Sequence, residues 1–118
     1  MSGMPKVPDS TKSSLQHKLS ARARRRWPQL TDVDVTHRGS FAYVTGTLRD
    51  GEQLPLCRLR YGGSASIWGF SIYRASHDDY KPSTLHTGMT TGSPEDALDT
   101  ACGLYLKDAS AWTGPPKN

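Results

Sequence analysis

Leu15, Leu19, Ala23 and Trp27 recur at intervals of four in an otherwise polar stretch. That interval keeps the four side chains on one stripe of an α-helix, so it predicts a helix from Ser14 to Trp27. Lys18, Arg22 and Arg26 repeat at the same interval, with Arg25 adjoining, so a basic stripe runs beside the apolar one. Pro28 ends the helix, because it has no N–H and its ring clashes with the preceding turn.

Beyond Val33 the period shortens to two, the signature of strands. Val33 to His37 predicts a short edge strand and Ser40 to Arg49 a longer one. Asp50-Gly51 tolerates the positive φ angles of a type I′ hairpin turn, and Gln53 to Tyr61 returns. Gly62-Gly63-Ser64 breaks the chain before a further strand from Ile67 to Ala75. Alternation then sorts the side chains. Ala42, Val44, Gly46 and Leu48 share the core side with Cys57, Leu59, Tyr61, Trp68, Phe70 and Ile72. Leu54 and Leu56 fall out of this register, which predicts a bulge near Pro55. The opposite side carries Tyr43, Thr45, Thr47, Arg49, Arg58, Arg60, Ser71 and Tyr73.

His77 to Gly92 is a long polar connection, with a short strand or turn expected around Ser83 to His86. Ser93-Pro94-Glu95-Asp96 opens a second helix: Ser93 caps it, Pro94 suits its first turn, and the two acids complement its dipole. Leu98, Ala101, Cys102 and Tyr105 form its apolar face, and it is expected to end near Lys107. The expected fold class is α+β. An antiparallel sheet of three to four strands follows an N-terminal basic helix and precedes a C-terminal capped helix, in the order α-β-β-β-β-α. One domain over residues 14–112 is expected, after a disordered leader at 1–13 and before a flexible tail at 113–118.

The length of 118 residues suits one domain with a modest core and no need of disulfides or metal staples. No apolar run approaches the ~18 residues of a membrane span. Met1 to Ser14 has no apolar signal-peptide core, so a cytoplasmic protein without a membrane partner is expected. Cys57 and Cys102 are too few for a disulfide framework and sit in apolar settings, which predicts two buried thiols. Charge changes the picture more. The net formal charge is +4, and residues 1–30 hold seven Lys and Arg against Asp9 alone, so the remainder is slightly acidic. Such asymmetry points to an acidic partner, most often nucleic acid.

The leading expectation is a non-enzymatic nucleic-acid-binding protein, with DNA as the ligand. Lys18, Arg22, Arg25 and Arg26 would neutralise phosphates and release counterions, giving salt-sensitive affinity without sequence preference. Arg49, Arg58 and Arg60 would meet phosphates or base edges on the outer sheet face, while Tyr43 and Tyr73 stack on bases. The bland alternatives are a solvated helix face, a wet sheet face rich in strand formers, or a sheet face covered by the first helix. A rival reading is a protein-interaction module, docking through the edge strand near Val33 and an apolar patch around Trp27 and Trp112. A third is a small metal-independent nuclease with His77 and His86 as acid and base. His77-Asp78-Asp79-Tyr80 suits a metal or acid/base cluster, but a turn in which Asp and His make local hydrogen bonds is the simpler reading. Cys57, His77, His86 and Cys102 lack the short paired spacing of structural zinc sites. Gly62-Gly63-Ser64 lacks the Lys and the strand-to-helix context of a phosphate loop. No catalytic residue, metal ligand or cofactor is assigned, and the oligomeric state is not set by the sequence.

Three further stretches carry a resemblance: Pro55-Leu56-Cys57-Arg58-Leu59-Arg60-Tyr61-Gly62-Gly63-Ser64, Trp68-Gly69-Phe70 with Tyr73 to Tyr80, and Ala101-Cys102-Gly103-Leu104-Tyr105-Leu106. Over roughly residues 15–112 the chain resembles a group of small uncharacterised proteins of high-GC Gram-positive bacteria. The resemblance implies a bacterial cytoplasmic protein and carries no activity to any residue. The order of elements is also loosely similar to double-stranded-RNA-binding domains and to integrase-type domains that lay a sheet on DNA. The second helix here opens with acids, so the basic loop-to-helix motif of the RNA-binding family is missing.

Overall fold

The structure, a computed structural model, describes Val7 to Leu106. Its elements run α1 (Asp9–Arg26), β1 (Leu30–Arg38), β2 (Phe41–Leu48), β3 (Gln53–Tyr61), β4 (Trp68–Arg74), β5 (Asp79–Pro82), β6 (Thr91–Gly92) and α2 (Pro94–Tyr105). The α+β order is the expected one, but the antiparallel sheet has six strands rather than three to four. The strand order is β1-β2-β3-β4-β5, and β6 pairs the first residues of β4. Both extra strands come from the polar connection after β4. Their side chains show no alternation, because backbone pairing to β4 holds them rather than a buried face.

α1 begins at Asp9 rather than Ser14, so residues 7–13 of the expected leader belong to the domain. Pro8 is its N-cap, in an extended conformation at φ −63° and ψ 153°, and Asp9 follows in the first turn, where a carboxylate suits the helix dipole. Val7 and Thr11 are buried as a result. The tail at 113–118 and Trp112 lie outside the described residues.

The hairpins set the register. Gly39 takes φ +59° in the tight β1–β2 turn. The β2–β3 connection departs from the expected type I′ turn. Leu48 N donates to Glu52 O at 2.8 Å and Gly51 N to Leu48 O at 2.9 Å, which closes a loop over Arg49, Asp50 and Gly51. Only Gly51 in it has positive φ, +89°. The Asp50 carboxylate accepts the Glu52 N–H at 2.9 Å, so Asp50 braces the longer loop instead of taking a left-handed conformation itself. The bulge expected near Pro55 is present. Val44 pairs Cys57 while Thr45 pairs Pro55, so Leu56 and Cys57 both turn inward.

Both helices pack on the side of the sheet that presents Ala42, Val44, Leu59 and Trp68. Leu15, Leu19, Ala23 and Trp27 of α1 and its C-cap meet Ala97, Leu98, Ala101 and Cys102 of α2 there. Each large apolar side chain so buried contributes about 1.5–3 kcal/mol. A polar contact fixes the two helices in register. Asp99, buried in α2, accepts Arg22 Nε at 3.1 Å, Arg22 Nη2 at 2.6 Å and the Trp27 indole N–H at 2.9 Å. Ser93 Oγ accepts the Asp96 N–H at 3.1 Å and caps α2 as expected. Among the described residues no helix covers the opposite side of the sheet.

Candidate functional site

The helix-free side of the sheet gathers rings and cations. Alternation along β2, β3, β4 and β5 places Phe41, Tyr43, Arg58, Arg60, Tyr73 and Tyr80 on it. Tyr43 is registered with Arg58, Phe41 with Arg60, and Tyr73 with Tyr80. The Arg58 guanidinium lies over the Phe41 ring at 4.4 Å and reaches within 5.8 Å of the Tyr80 ring. Ser71, small and opposite Arg58, leaves room for that reach. Tyr80 joins the group edge-on to Tyr43 and tilted to Tyr73, each at 5.3 Å. Pairs of this kind contribute about 0.5–1.5 kcal/mol each beyond area burial, so the rings are held as a platform rather than left as independent rotors.

The charges on this face are open. Neither Arg58 nor Arg60 is paired with a carboxylate among the described residues, whereas Arg22 is paired with Asp99 and Arg74 with Asp79. A guanidinium stacked on a ring keeps its in-plane N–H groups available to a planar or tetrahedral anion. A groove of about 540 Å³ adjoins the two arginines, and Ser71, Ser83, Thr84 and Thr91 line it with hydroxyls. The far end of the face meets the β4–β5 turn, which brings Asp78 to it. Tyr73 donates its hydroxyl to Asp78 at 2.6 Å, and that bond pushes the phenol up to about 12, so the ring stays neutral. Asp79 is held below the usual carboxylate range by hydrogen bonds from Arg74.

The other sequence-predicted cations lie elsewhere. Lys18, Arg22, Arg25 and Arg26 belong to α1, in the layer on the opposite side of the sheet. Arg22 is bound to Asp99, a hydrogen bond that raises its pKa further. The Arg26 guanidinium lies 5.2 Å from the centre of the buried Trp27 ring. Arg25 is exposed, and with Arg24 and Arg26 it faces the carbonyl end of the α1 dipole. Arg49 sits in the β2–β3 loop, six residues of strand from Tyr43, or about 20 Å. The structure therefore brings together Arg58, Arg60, Tyr43 and Tyr73, and sets Arg49 and the α1 cations apart from them.

Of His77-Asp78-Asp79-Tyr80, His77 and Asp78 lie in the β4–β5 hairpin turn, while Asp79 and Tyr80 open β5. His77 N donates to Arg74 O at 3.1 Å, Asp78 takes φ +50°, and Asp79 pairs with Arg74. His77 hydrogen-bonds Ser76 in that turn, while His86 packs on α2, with Nε2 at 3.4 Å from Asp96 and its N–H on Thr100. Among the described residues no group of three His, Cys, Asp or Glu side chains could hold a metal ion. Cys57 and Cys102 are buried and unbridged, and burial pushes the Cys57 thiol up to about 12.

Two residues of the aromatic platform were missed in the sequence. Phe41 stands one period of two from Tyr43, so alternation alone could have placed it. Tyr80 gave no such signal, because the four-residue strand that carries it is polar and ends in Pro82. In comparison with known proteins, the chain matches no protein-family model, no curated protein and no solved structure.

Proposed function

We propose that this protein is a non-catalytic nucleic-acid-binding protein of the bacterial cytoplasm, with single-stranded DNA as its ligand and the helix-free sheet face as its principal site. One observation carries the reading: Arg58, unpaired with any carboxylate among the described residues, stacks on Phe41 within a ring cluster on an uncovered sheet. Stacked aromatic and guanidinium planes suit unpaired bases, and the adjoining hydroxyl-lined groove suits a phosphate. No helix of the described residues is long and apolar enough to cross a membrane. The α1 cations, in the other layer, act as a separate electrostatic surface that adds affinity without orientation.

The test is an anisotropy titration with single-stranded DNA, duplex DNA and RNA at two salt concentrations. The intact protein is expected to prefer single-stranded DNA. Replacing Arg58 and Arg60 with Ala should weaken binding and flatten the salt slope by about 0.7 for each phosphate no longer neutralised. Tyr43→Ala should cost about 1–3 kcal/mol at all salt concentrations, as stacking does. Absence of binding by the intact protein at low salt would overturn the proposal.

A further inference from the structure

We propose that the open edge of β1, with α1 beside it, is a second binding site that takes an extended acidic peptide of a partner protein as an added strand. This site is independent of the nucleic-acid reading.

The backbone shows which edge groups are open. Val33 N donates to Asp32 Oδ1 at 2.9 Å, and Val33 O accepts from Gln16 Nε2 at 2.7 Å. A strand residue whose N–H and C=O are both bound outside the ladder points them away from its neighbour. The β1–β2 register runs unbroken from Asp32↔Thr47 to Arg38↔Phe41, so the same parity turns the backbone groups of Val35 and His37 outward. Among the described residues those outward groups have no hydrogen-bond partner. Protein edges are ordinarily blunted against pairing. Here side chains close the edge at Val33 and leave it open at the next two outward positions.

Beside the open positions lies a groove of about 570 Å³ between α1 and β1, walled by Lys12, Ser13, Gln16, His17 and His37. The His37 Nδ1 is buried there without a hydrogen-bond partner. An incoming strand would pair its main chain with Val35 and His37, and alternate side chains would enter the groove. None of the residues lining the groove is acidic, so acidic side chains fit on that side. On the other side of the strand stand Asp32 and Asp34, both exposed, where neutral or basic side chains fit. A second copy of this chain is disfavoured, because it would bring its own Lys12 and His17 against the same groove. A nucleic acid offers no row of amide donors and acceptors at strand spacing.

The test selects a random-peptide phage library on the full chain, then follows synthetic versions of the enriched peptides by amide NMR. Enriched sequences should alternate acidic residues with neutral or basic strand formers, and binding should shift the amides of Val35 and His37 and slow their exchange. Val35→Pro removes one outward N–H and no ladder bond; Lys12→Glu reverses the groove charge. Each should lower affinity at least about tenfold. Should Val35→Pro fail to fold by circular dichroism, Lys12→Glu and the wild-type shift map decide. The proposal is overturned by no enrichment, by enriched peptides that are basic or that shift amides elsewhere, or by affinity unchanged in Lys12→Glu. Self-association that shifts the Val35 and His37 amides without peptide would assign the edge to a second copy and overturn it as well.

Discussion

Asp99→Ala removes the carboxylate that ties α1 to α2. Two donors lose their acceptor. The Trp27 indole is fully buried, so its N–H is left without water, at a cost of about 1–3 kcal/mol. The Arg22 side chain is 32% exposed and can rehydrate on its outer side. Its loss is therefore nearer the ~1.5–3 kcal/mol of a charge-assisted hydrogen bond than that of a wholly buried ion pair. The two donors share one acceptor, so the costs do not add in full, and a total of about 3–4 kcal/mol is expected. That is a large share of the ~5–15 kcal/mol that holds an ordinary domain together. In a urea titration followed by tryptophan fluorescence and circular dichroism, the midpoint should fall by roughly 2 M or more. Asp99→Asn keeps an oxygen for Trp27 and should lose about half as much. Arg22→Met should cost about as much as Asp99→Ala, and the double variant clearly less than the sum. A midpoint within about 0.5 M of the parent for Asp99→Ala would refute the assignment. So would additive costs in the double variant. The result also bears on binding. Since Asp99 already neutralises Arg22, removing Arg25 should flatten the salt dependence of DNA binding more than removing Arg22 does.

Other predictions follow from burial, titration and capping. Cys57, its thiol pushed up to about 12, and Cys102, raised as well, should not react with an aromatic disulfide reagent until the protein is unfolded; rapid labelling of the native protein would contradict their burial. Burial, aided by Lys12, lowers the His37 pKa below its ordinary 6.5, so the folded state binds fewer protons than the unfolded one in the window just below that value. Stability should therefore fall as pH drops from about 6.5, and His37→Gln should remove part of that slope; an unchanged slope in urea midpoints at about pH 7 and pH 5 would count against it. Ser93→Ala deletes the α2 cap and should cost about 1 kcal/mol in the same titration, with no effect on binding.

How much of this was legible in the sequence depended on whether one residue's chemistry sufficed. Ser93 followed by Pro94 located the start of α2, and Pro55 among leucines located the bulge, because each signal is local. β3 came out with its observed bounds, since its ends are marked by the hairpin loop and by Gly62. β5 did not, because four polar residues without a buried face carry no period. The early start of α1 was hidden by a polar first turn, where only Pro8 and Asp9 marked the beginning. At the site, alternation grouped Tyr43, Arg58, Arg60 and Tyr73 correctly but could not supply Tyr80, which arrives from an unrecognised strand. The separation of α1's cations from that group was inferable: an apolar stripe must face the core side, so the basic stripe has to point away from the other. The pairing of Arg22 with Asp99 was not, since nothing in either residue's neighbourhood announces the other.

That pairing also orders events in time. The two residues stand 77 positions apart, and at synthesis rates of about 5–20 residues per second Arg22 exists for roughly 4–15 s before Asp99 does. Until then the nascent sheet has no α2 to cover Leu59 and Trp68, and the indole of Trp27 has no acceptor. The contact between the two helices can close only once α2 has emerged. Cells making it should hold a transient population of incomplete chains with exposed tryptophans, the kind of species that recruits chaperones, and that population should grow when translation is slowed between β5 and α2.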